Sequence, residues 1–149
     1  MLKTKIPPPI IGLFFILVLY LSTFLISIFS FERQSFLSLL VASFGLGCLI
    51  LASIEFRKVR TSVNPMNPEV ATYLVVTGIF KYTRNPMYLG LTALIGSFGI
   101  YVGAWLVIIL LPFFIFCINL LQIVPEEAAM KKIFGDEYIL YCSSVRRWF

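Results

Sequence analysis

"MYLGLTALIGSFGIYVGAWLVIILLPFFIFCINLLQIV", residues 87–124, contains no charged side chain. A helix needs roughly 20 apolar residues to cross the hydrocarbon core of a bilayer. The run is therefore too long for one crossing and long enough for two short ones. Its glycines Gly99 and Gly103, within "GIYVGAW", favour a turn near the middle. We expect a hairpin of two membrane helices, over residues 86–101 and 104–124.

Two further charge-free runs precede this one, from Pro9 to Ser30 and from Phe36 to Ile54. The first is longer than the roughly 7–15 residues of a signal-peptide core and has no small-residue cleavage site after it, so we interpret it as a retained helix. Hydrophobic residues make up 60% of the chain and charged residues 13%. This composition predicts an all-α integral membrane protein rather than a soluble domain.

The sequence thus predicts a single membrane domain with about four transmembrane helices, the last two forming a hairpin. The predicted spans are residues 9–30, 36–55, 86–101 and 104–124. A cytoplasmic loop is expected over residues 56–85. The tail, residues 125–149, is expected to carry an amphipathic helix on the cytoplasmic surface, interrupted at Gly135. The chain has no GxGxxG fingerprint, so we expect no Rossmann domain.

Basic residues predict the orientation of these helices. Of the 12 lysines and arginines, only Arg33 falls in the connection between the first two spans. The others lie before the first span, in the 56–85 loop or after the fourth span, so the positive-inside rule places both termini and that loop in the cytoplasm. We expect an inner or plasma membrane location. The net charge of +5 then reflects topology and anionic lipid headgroups, and nucleic acid is not needed to explain it.

A polar cluster is predicted where the hairpin meets the cytoplasm. Asn85-Pro86 is a helix-start signal, because asparagine suits the N-cap and proline the first helical position. The hairpin should bring this start, with Arg84 and Tyr88, close to Glu126 and Glu127. Two carboxylates, a guanidinium, an amide and a phenol can hold a ligand with ammonium, carboxylate and hydroxyl groups.

Each residue of this cluster also has a simpler explanation. Glu126 and Glu127 follow a proline and can be first-turn acids favoured by the helix dipole. Arg84 alone is typical of a positive-inside anchor, and Tyr88 alone of an interfacial aromatic residue. The order and spacing of the residues, rather than any one of them, favour a binding site.

A metal site is not expected. The chain has no histidine and only three cysteines. Cys48 and Cys117 fall within predicted spans and Cys142 in the cytoplasmic tail, so all three are interpreted as packing residues.

The segment "LVVTGIFKYTRNPMYLG", Leu74 to Gly90, resembles the signature of the isoprenylcysteine carboxyl methyltransferase family and the related phospholipid N-methyltransferases. The Glu126-Glu127 pair after the hairpin and the ending "FGDEYILYCSSVRRW" are similar to two further motifs of that family. The resemblance covers roughly Arg57 to Phe149. It implies an integral-membrane methyltransferase that uses S-adenosylmethionine and releases S-adenosylhomocysteine.

The resemblance also implies roles for individual residues. Glu126 and Glu127 would bind polar groups of the cofactor. Arg84 and Arg147 would bind anionic groups of cofactor or substrate, and with Glu127 they are the predicted catalytic residues. The residues expected to shape the cofactor pocket are Gly78, Tyr82, Asn85, Pro86 and Tyr88. The substrate, a lipid-like or prenylated small molecule, would enter sideways from the bilayer.

The methyl acceptor remains open at this stage. Many carboxyl methyltransferases have histidine where this chain has Asn85. A carboxylate is already a nucleophile at pH 7, whereas a lipid amine, like lysine with a pKa near 10.4, must first lose a proton. This mildly favours the carboxyl group of an isoprenylcysteine-like compound. The alternatives are a phospholipid or other amine, and a non-catalytic membrane scaffold or transporter subunit. The sequence does not reveal the oligomeric state.

Overall fold

Helices form nearly all the regular structure in the computed structural model, which describes residues 6–58 and 73–148. Their bounds are α1 Pro8–Ser22, α2 Gln34–Lys58, α3 Pro86–Val102, α4 Val107–Ile118 and α5 Val124–Ser144, with a 3₁₀ turn Gly78–Lys81 before α3 and a π-helical turn Asn119–Ile123 between α4 and α5. Within these two ranges the strand-type pairing is one isolated antiparallel bridge, Ile28 to Ala104. The described residues therefore contain no Rossmann-like sheet. The middle of the predicted loop, residues 59–72, lies outside the described residues.

The α3–α4 connection is the predicted hairpin turn. Gly103 ends α3 in the left-handed conformation, with a φ of 69°. The segment before α2 and the first residue of α2 both contact this turn: the Phe29 N–H donates to the Gly103 carbonyl over 2.8 Å, and the Gln34 side-chain amide donates to the Ile100 carbonyl over 2.7 Å. Because Ala104 pairs with this segment, α4 begins at Val107 and not at residue 104 as predicted.

The first helix is shorter than the predicted span 9–30. α1 ends at Ser22, where the Ser22 and Thr23 hydroxyls donate to the Leu19 and Tyr20 carbonyls, both over 2.7 Å. The Ile26 N–H then bonds the Ser22 carbonyl in a turn, and the chain continues to the bridge at Ile28. The charge-free run thus contains a helix and a non-helical segment, which hydropathy alone does not distinguish.

Small residues allow α2 and α3 to make the most extensive helix–helix contact in the described structure. A Cβ atom at Gly45 would lie 2.8 Å from the Gly90 carbonyl oxygen, and one at Gly90 would lie 2.7 Å from the Gly45 carbonyl oxygen. Near the other end of the pair, the Ser97 hydroxyl donates to the Ser38 carbonyl over 3.0 Å. Close backbone approach between small residues is a common way for helices to associate in membranes.

Within residues 6–58 and 73–148, two helices have the length and composition to cross a membrane: α2, and the continuous helical run Val107–Ser144 that joins α4, the π-helical turn and α5. α1 and α3 are apolar and shorter. Within the long run the apolar part ends at Val124, and the acidic pair Glu126-Glu127 follows after Pro125. The part of the chain that the structure describes thus contains two helices of sufficient length, and the four-crossing topology stays a prediction.

The predicted interruption at Gly135 is a sharp bend inside α5. Gly135 has a φ of 52° and a ψ of −124°, which are not helical values. The Arg147 guanidinium nevertheless contacts the Glu127 carboxylate, 20 residues earlier. A straight helix of that length would extend about 30 Å. The arm after Gly135 must therefore fold back towards the arm before it, so the tail forms a helical hairpin.

The α2–α3 contact predicts different outcomes for two neighbouring glycines. Gly45→Ala should destabilise the protein by about 1–3 kcal/mol, because the new methyl group overlaps the α3 backbone. Gly47→Ala is the matched control: no atom lies within 4 Å of its Cβ position, so it should be neutral or stabilising. Thermal unfolding in one detergent measures both. Equal effects would contradict the close packing at Gly45.

Candidate functional site

One carboxylate joins two arginines that come from distant parts of the chain. Glu127, in the first turn of α5, lies 3.0 Å from the Arg84 guanidinium (Oε1 to Nη2). It also accepts two bonds from Arg147, at 3.1 Å from Nε and 2.5 Å from Nη2. The two-bond geometry is typical of strong arginine–carboxylate pairing. These bonds raise the pKa of Arg147 above its ordinary value.

A second carboxylate lies beside this network. Glu126 accepts a hydrogen bond from the Tyr88 hydroxyl on the first turn of α3, and this is the proximity that the hairpin predicts. Glu126 follows the apolar part of the long helix, and burial raises its pKa to about 7, although the Tyr88 bond opposes the shift. The site therefore places a carboxylate that bonds two arginines next to one whose pKa lies near neutral pH.

The last described residues of the chain fasten the start of α3. The Arg84 N–H donates to the Arg146 carbonyl over 3.1 Å, and the Thr83 hydroxyl donates to the Arg147 carbonyl over 3.2 Å. Asn85 occupies the N-cap position of α3, but its side chain makes no cap bond and donates to the Arg147 carbonyl over 3.0 Å. The amide thus orients the segment that carries Arg147, a role that the N-cap interpretation did not include.

The structure brings most, but not all, of the predicted site residues together. Arg84, Asn85, Tyr88, Glu126, Glu127 and Arg147 form the connected group described above, and Pro86 is buried as the first residue of α3. Tyr82 is separate: its side chain is 74% exposed. Gly78 has a φ of 58°, and its Cβ position would lie 2.5 Å from the Glu55 carboxyl carbon. Gly78 thus contacts the end of α2.

An open cavity lies between the two arms of α5, on the side of Glu127 that faces the tail. Its volume is about 390 Å³. The residues that line it are Val124, Glu127, Ala128, Lys131, Tyr138, Ile139 and Cys142. Glu127, whose carboxylate the two arginines share, is thus among the residues that line this cavity.

Sequence reasoning did not identify three residues that hold the site. Thr83 is buried and bonds the tail, the Tyr141 hydroxyl donates to the Phe80 carbonyl over 2.7 Å, and Glu55 contacts the turn at Gly78. Glu55 carried a signal, because it is the first charge after an apolar run and the following residues are basic. Thr83 and Tyr141 donate to backbone carbonyls of distant residues. A pattern of side chains along the sequence does not predict such bonds.

More than half of the chain matches a known protein family. The model of a family described as phospholipid methyltransferase matches residues 33–137, more than half of the chain. This match confirms the resemblance identified from the motifs. An uncharacterized protein of Haemophilus influenzae is 42% identical over 65 residues, which is 42% of this chain and 98% of that protein. No solved structure matches the chain.

The raised pKa of Glu126 predicts a pH dependence of stability. The folded-state value of about 7 exceeds the ordinary value of 4.5. Protonated Glu126 therefore contributes stability that is fully present below about pH 4.5 and is lost as the pH rises through 7. Glu126→Gln should remove this component, flattening the melting temperature between pH 5 and 8 relative to the wild type. Parallel curves for the two proteins would contradict the raised pKa.

Proposed function

The chain belongs to the phospholipid methyltransferase family, and from this premise we propose that it transfers a methyl group from S-adenosylmethionine to a lipid held in the membrane. The observation that carries the proposal is the Arg84–Glu127–Arg147 network beside the Tyr88–Glu126 pair. The network lies where α3 begins and where the apolar part of the Val107–Ser144 run ends. A lipid headgroup and a water-soluble cofactor can therefore meet there.

The residues present fit the polar groups of S-adenosylmethionine. Its amino-acid part carries a carboxylate and an ammonium, and its ribose carries hydroxyls. Arg84 Nε is buried and has no partner among the described residues, so it can donate to a carboxylate. Glu127, next to the cavity in α5, can accept from an ammonium or from hydroxyls. These are the groups we assign to holding the cofactor.

For the acceptor we propose a lipid amine, such as the headgroup of an aminophospholipid. The family description favours a phospholipid, and the two arginines can pair with its phosphate. An amine attacks only after losing its proton. Glu126, with its pKa raised to about 7, can accept that proton, because its carboxylate is partly ionised at neutral pH and its proton affinity exceeds that of an ordinary glutamate.

The protein's own contribution is to align, to exclude water and to accept a proton. S-adenosylmethionine, which Arg84 and Glu127 would hold, would supply an electrophilic methyl group to the acceptor nitrogen, with S-adenosylhomocysteine as the product. The Tyr88 hydroxyl donates to the Glu126 carboxylate and thereby limits its orientation. Such displacements depend chiefly on alignment and desolvation, which a site at the membrane border provides.

A carboxyl acceptor, such as an isoprenylcysteine-like compound, is the second candidate. It is supported by the unpartnered Arg84 Nε, which can bind an anionic acceptor as readily as the carboxylate of the cofactor. A carboxylate acceptor needs no base, so under this alternative Glu126 would be dispensable for turnover.

We also propose the membrane arrangement that the basic residues predict. All four apolar segments would cross the membrane, with both termini and the polar network on the cytoplasmic side. The site would then face the compartment in which S-adenosylmethionine is made.

Cofactor binding tests the central proposal. Calorimetry with S-adenosylmethionine and S-adenosylhomocysteine on detergent-purified protein should show that both bind. Glu127→Gln should weaken binding at least about tenfold, because the charge shared with Arg84 and Arg147 is lost. Glu137→Gln, an exposed acid of the same helix, is the matched control and should bind normally. Folded wild-type protein that binds neither compound would refute the proposal.

Turnover with two acceptors tests the choice of substrate. Purified protein should methylate an aminophospholipid in mixed micelles and leave a prenylcysteine analogue unchanged. Glu126→Gln should reduce the rate with the amine by roughly 10²–10⁴-fold, the usual contribution of a positioned base. Methylation of the prenylcysteine analogue alone, at a rate that Glu126→Gln does not change, would establish the carboxyl alternative.

A further inference from the structure

A buried carboxylate outside the polar network lies at the end of α2. Glu55 is 7% exposed, in a region where its helix neighbours Ala52 and Phe56 pack against apolar residues. Burying a carboxylate is unfavourable unless donors compensate. Two side chains do so: Lys58 Nζ lies 2.6 Å from Oε1, and the Thr77 hydroxyl donates to Oε2 over 2.6 Å. Both oxygens are thus occupied by groups of this protein.

The bond to Thr77 fixes the turn that precedes α3. Directly after Thr77, the 3₁₀ turn Gly78–Lys81 begins with Gly78 in the left-handed conformation, at a φ of 58°. The Cβ position of Gly78 would lie 2.5 Å from Glu55 Cδ and Oε1. The missing side chain at Gly78 therefore allows the carboxylate to lie against the backbone. Glycine at this position is explained by contact with Glu55.

The same turn is held from the opposite side by the tail. The Tyr141 hydroxyl, on the second arm of α5, donates to the Phe80 carbonyl over 2.7 Å. Phe80 itself is buried against Phe56 of α2, with ring centroids 5.3 Å apart. The turn is thus fastened to α2 by Glu55 and Phe56 and to α5 by Tyr141. Arg84 follows three residues after it and pairs with Glu127 of α5.

We propose that Glu55 is a positioning residue for the methyl-transfer site: through Thr77 and Gly78 it anchors the turn that sets where Arg84 enters the polar network. This inference rests on the proposed function. Glu55 acts through its neighbours, because its own oxygens are taken up by Thr77 and Lys58. The prediction is that cofactor affinity depends on a residue that does not touch the cofactor.

Binding measurements on matched variants test the effect. Glu55→Ala should weaken S-adenosylhomocysteine binding roughly tenfold by releasing the turn. Glu55→Gln, whose amide oxygen still accepts from Thr77, should restore most of the affinity. Thr77→Val should weaken binding in the wild type and add little to Glu55→Ala, because both remove one interaction. Glu32→Gln replaces an exposed acid elsewhere and should change nothing.

Hydrogen exchange tests the anchoring independently of any cofactor. In the wild type the Tyr82 N–H bonds the Ile79 carbonyl and the Arg84 N–H bonds the Arg146 carbonyl. Glu55→Ala and Thr77→Val should accelerate amide exchange in peptides covering residues 78–85, whereas Glu32→Gln should not. If Glu55→Ala does not fold, Thr77→Val, which retains the charge pair with Lys58, carries the same prediction.

The outcomes separate this inference from the proposed function. Faster exchange at the turn together with weaker binding supports the role of Glu55. Unchanged exchange and affinity in both variants overturn it, as does an additive effect of Glu55→Ala and Thr77→Val on affinity. Wild-type protein that binds no cofactor refutes the proposed function and with it the effect on affinity, whereas the exchange data still decide whether Glu55 anchors the turn.

Discussion

The Glu127 carboxylate is the interaction on which the arrangement of the cytoplasmic side depends. It is the common partner of Arg84, which precedes α3, and Arg147, which follows α5. One negative charge thus joins the start of the hairpin, its end and the tail. Removing the carboxylate would leave two arginines close together with no shared counter-charge, an unfavourable arrangement in a partly buried setting. The attraction of Glu127 for both guanidinium groups therefore favours the folded-back tail.

This constraint explains the sharp bend at Gly135. Glu127 is near the start of α5 and Arg147 lies beyond its end, so the two can meet only if the helix reverses direction between them. Gly135, with its positive φ, provides the reversal, and Tyr141 and Thr83 then hold the returning arm against the turn before α3. The bend also creates the cavity beside Glu127. The ion network and the cavity are therefore consequences of one change of chain direction.

The sequence predicted the parts of this structure that follow from local patterns. The start of α3 at Pro86, the turn near Gly103 and the proximity of Tyr88 to Glu126 all follow from hydropathy, helix-start residues and hairpin geometry. The end of α1 was not predicted, because residues 23–30 are as apolar as the helix before them. Their departure from the helical conformation depends on pairing with the distant Gly103–Ala104 turn. The exposure of the Tyr82 side chain was not predicted either. A motif gives the order of residues along the chain but not the direction in which each side chain points.

Contacts that tie distant segments through backbone carbonyls were the least predictable. Asn85 was expected to cap α3, but its side-chain amide donates to the Arg147 carbonyl instead. A cap bond would satisfy one N–H of α3, whereas the observed bond joins two elements 62 residues apart and places the Arg147 side chain beside Glu127. Asparagine and histidine both carry a side-chain N–H donor, so either can bond such a carbonyl. A histidine at position 85 would therefore keep a donor for this carbonyl, so the presence of asparagine does not by itself indicate which acceptor is methylated.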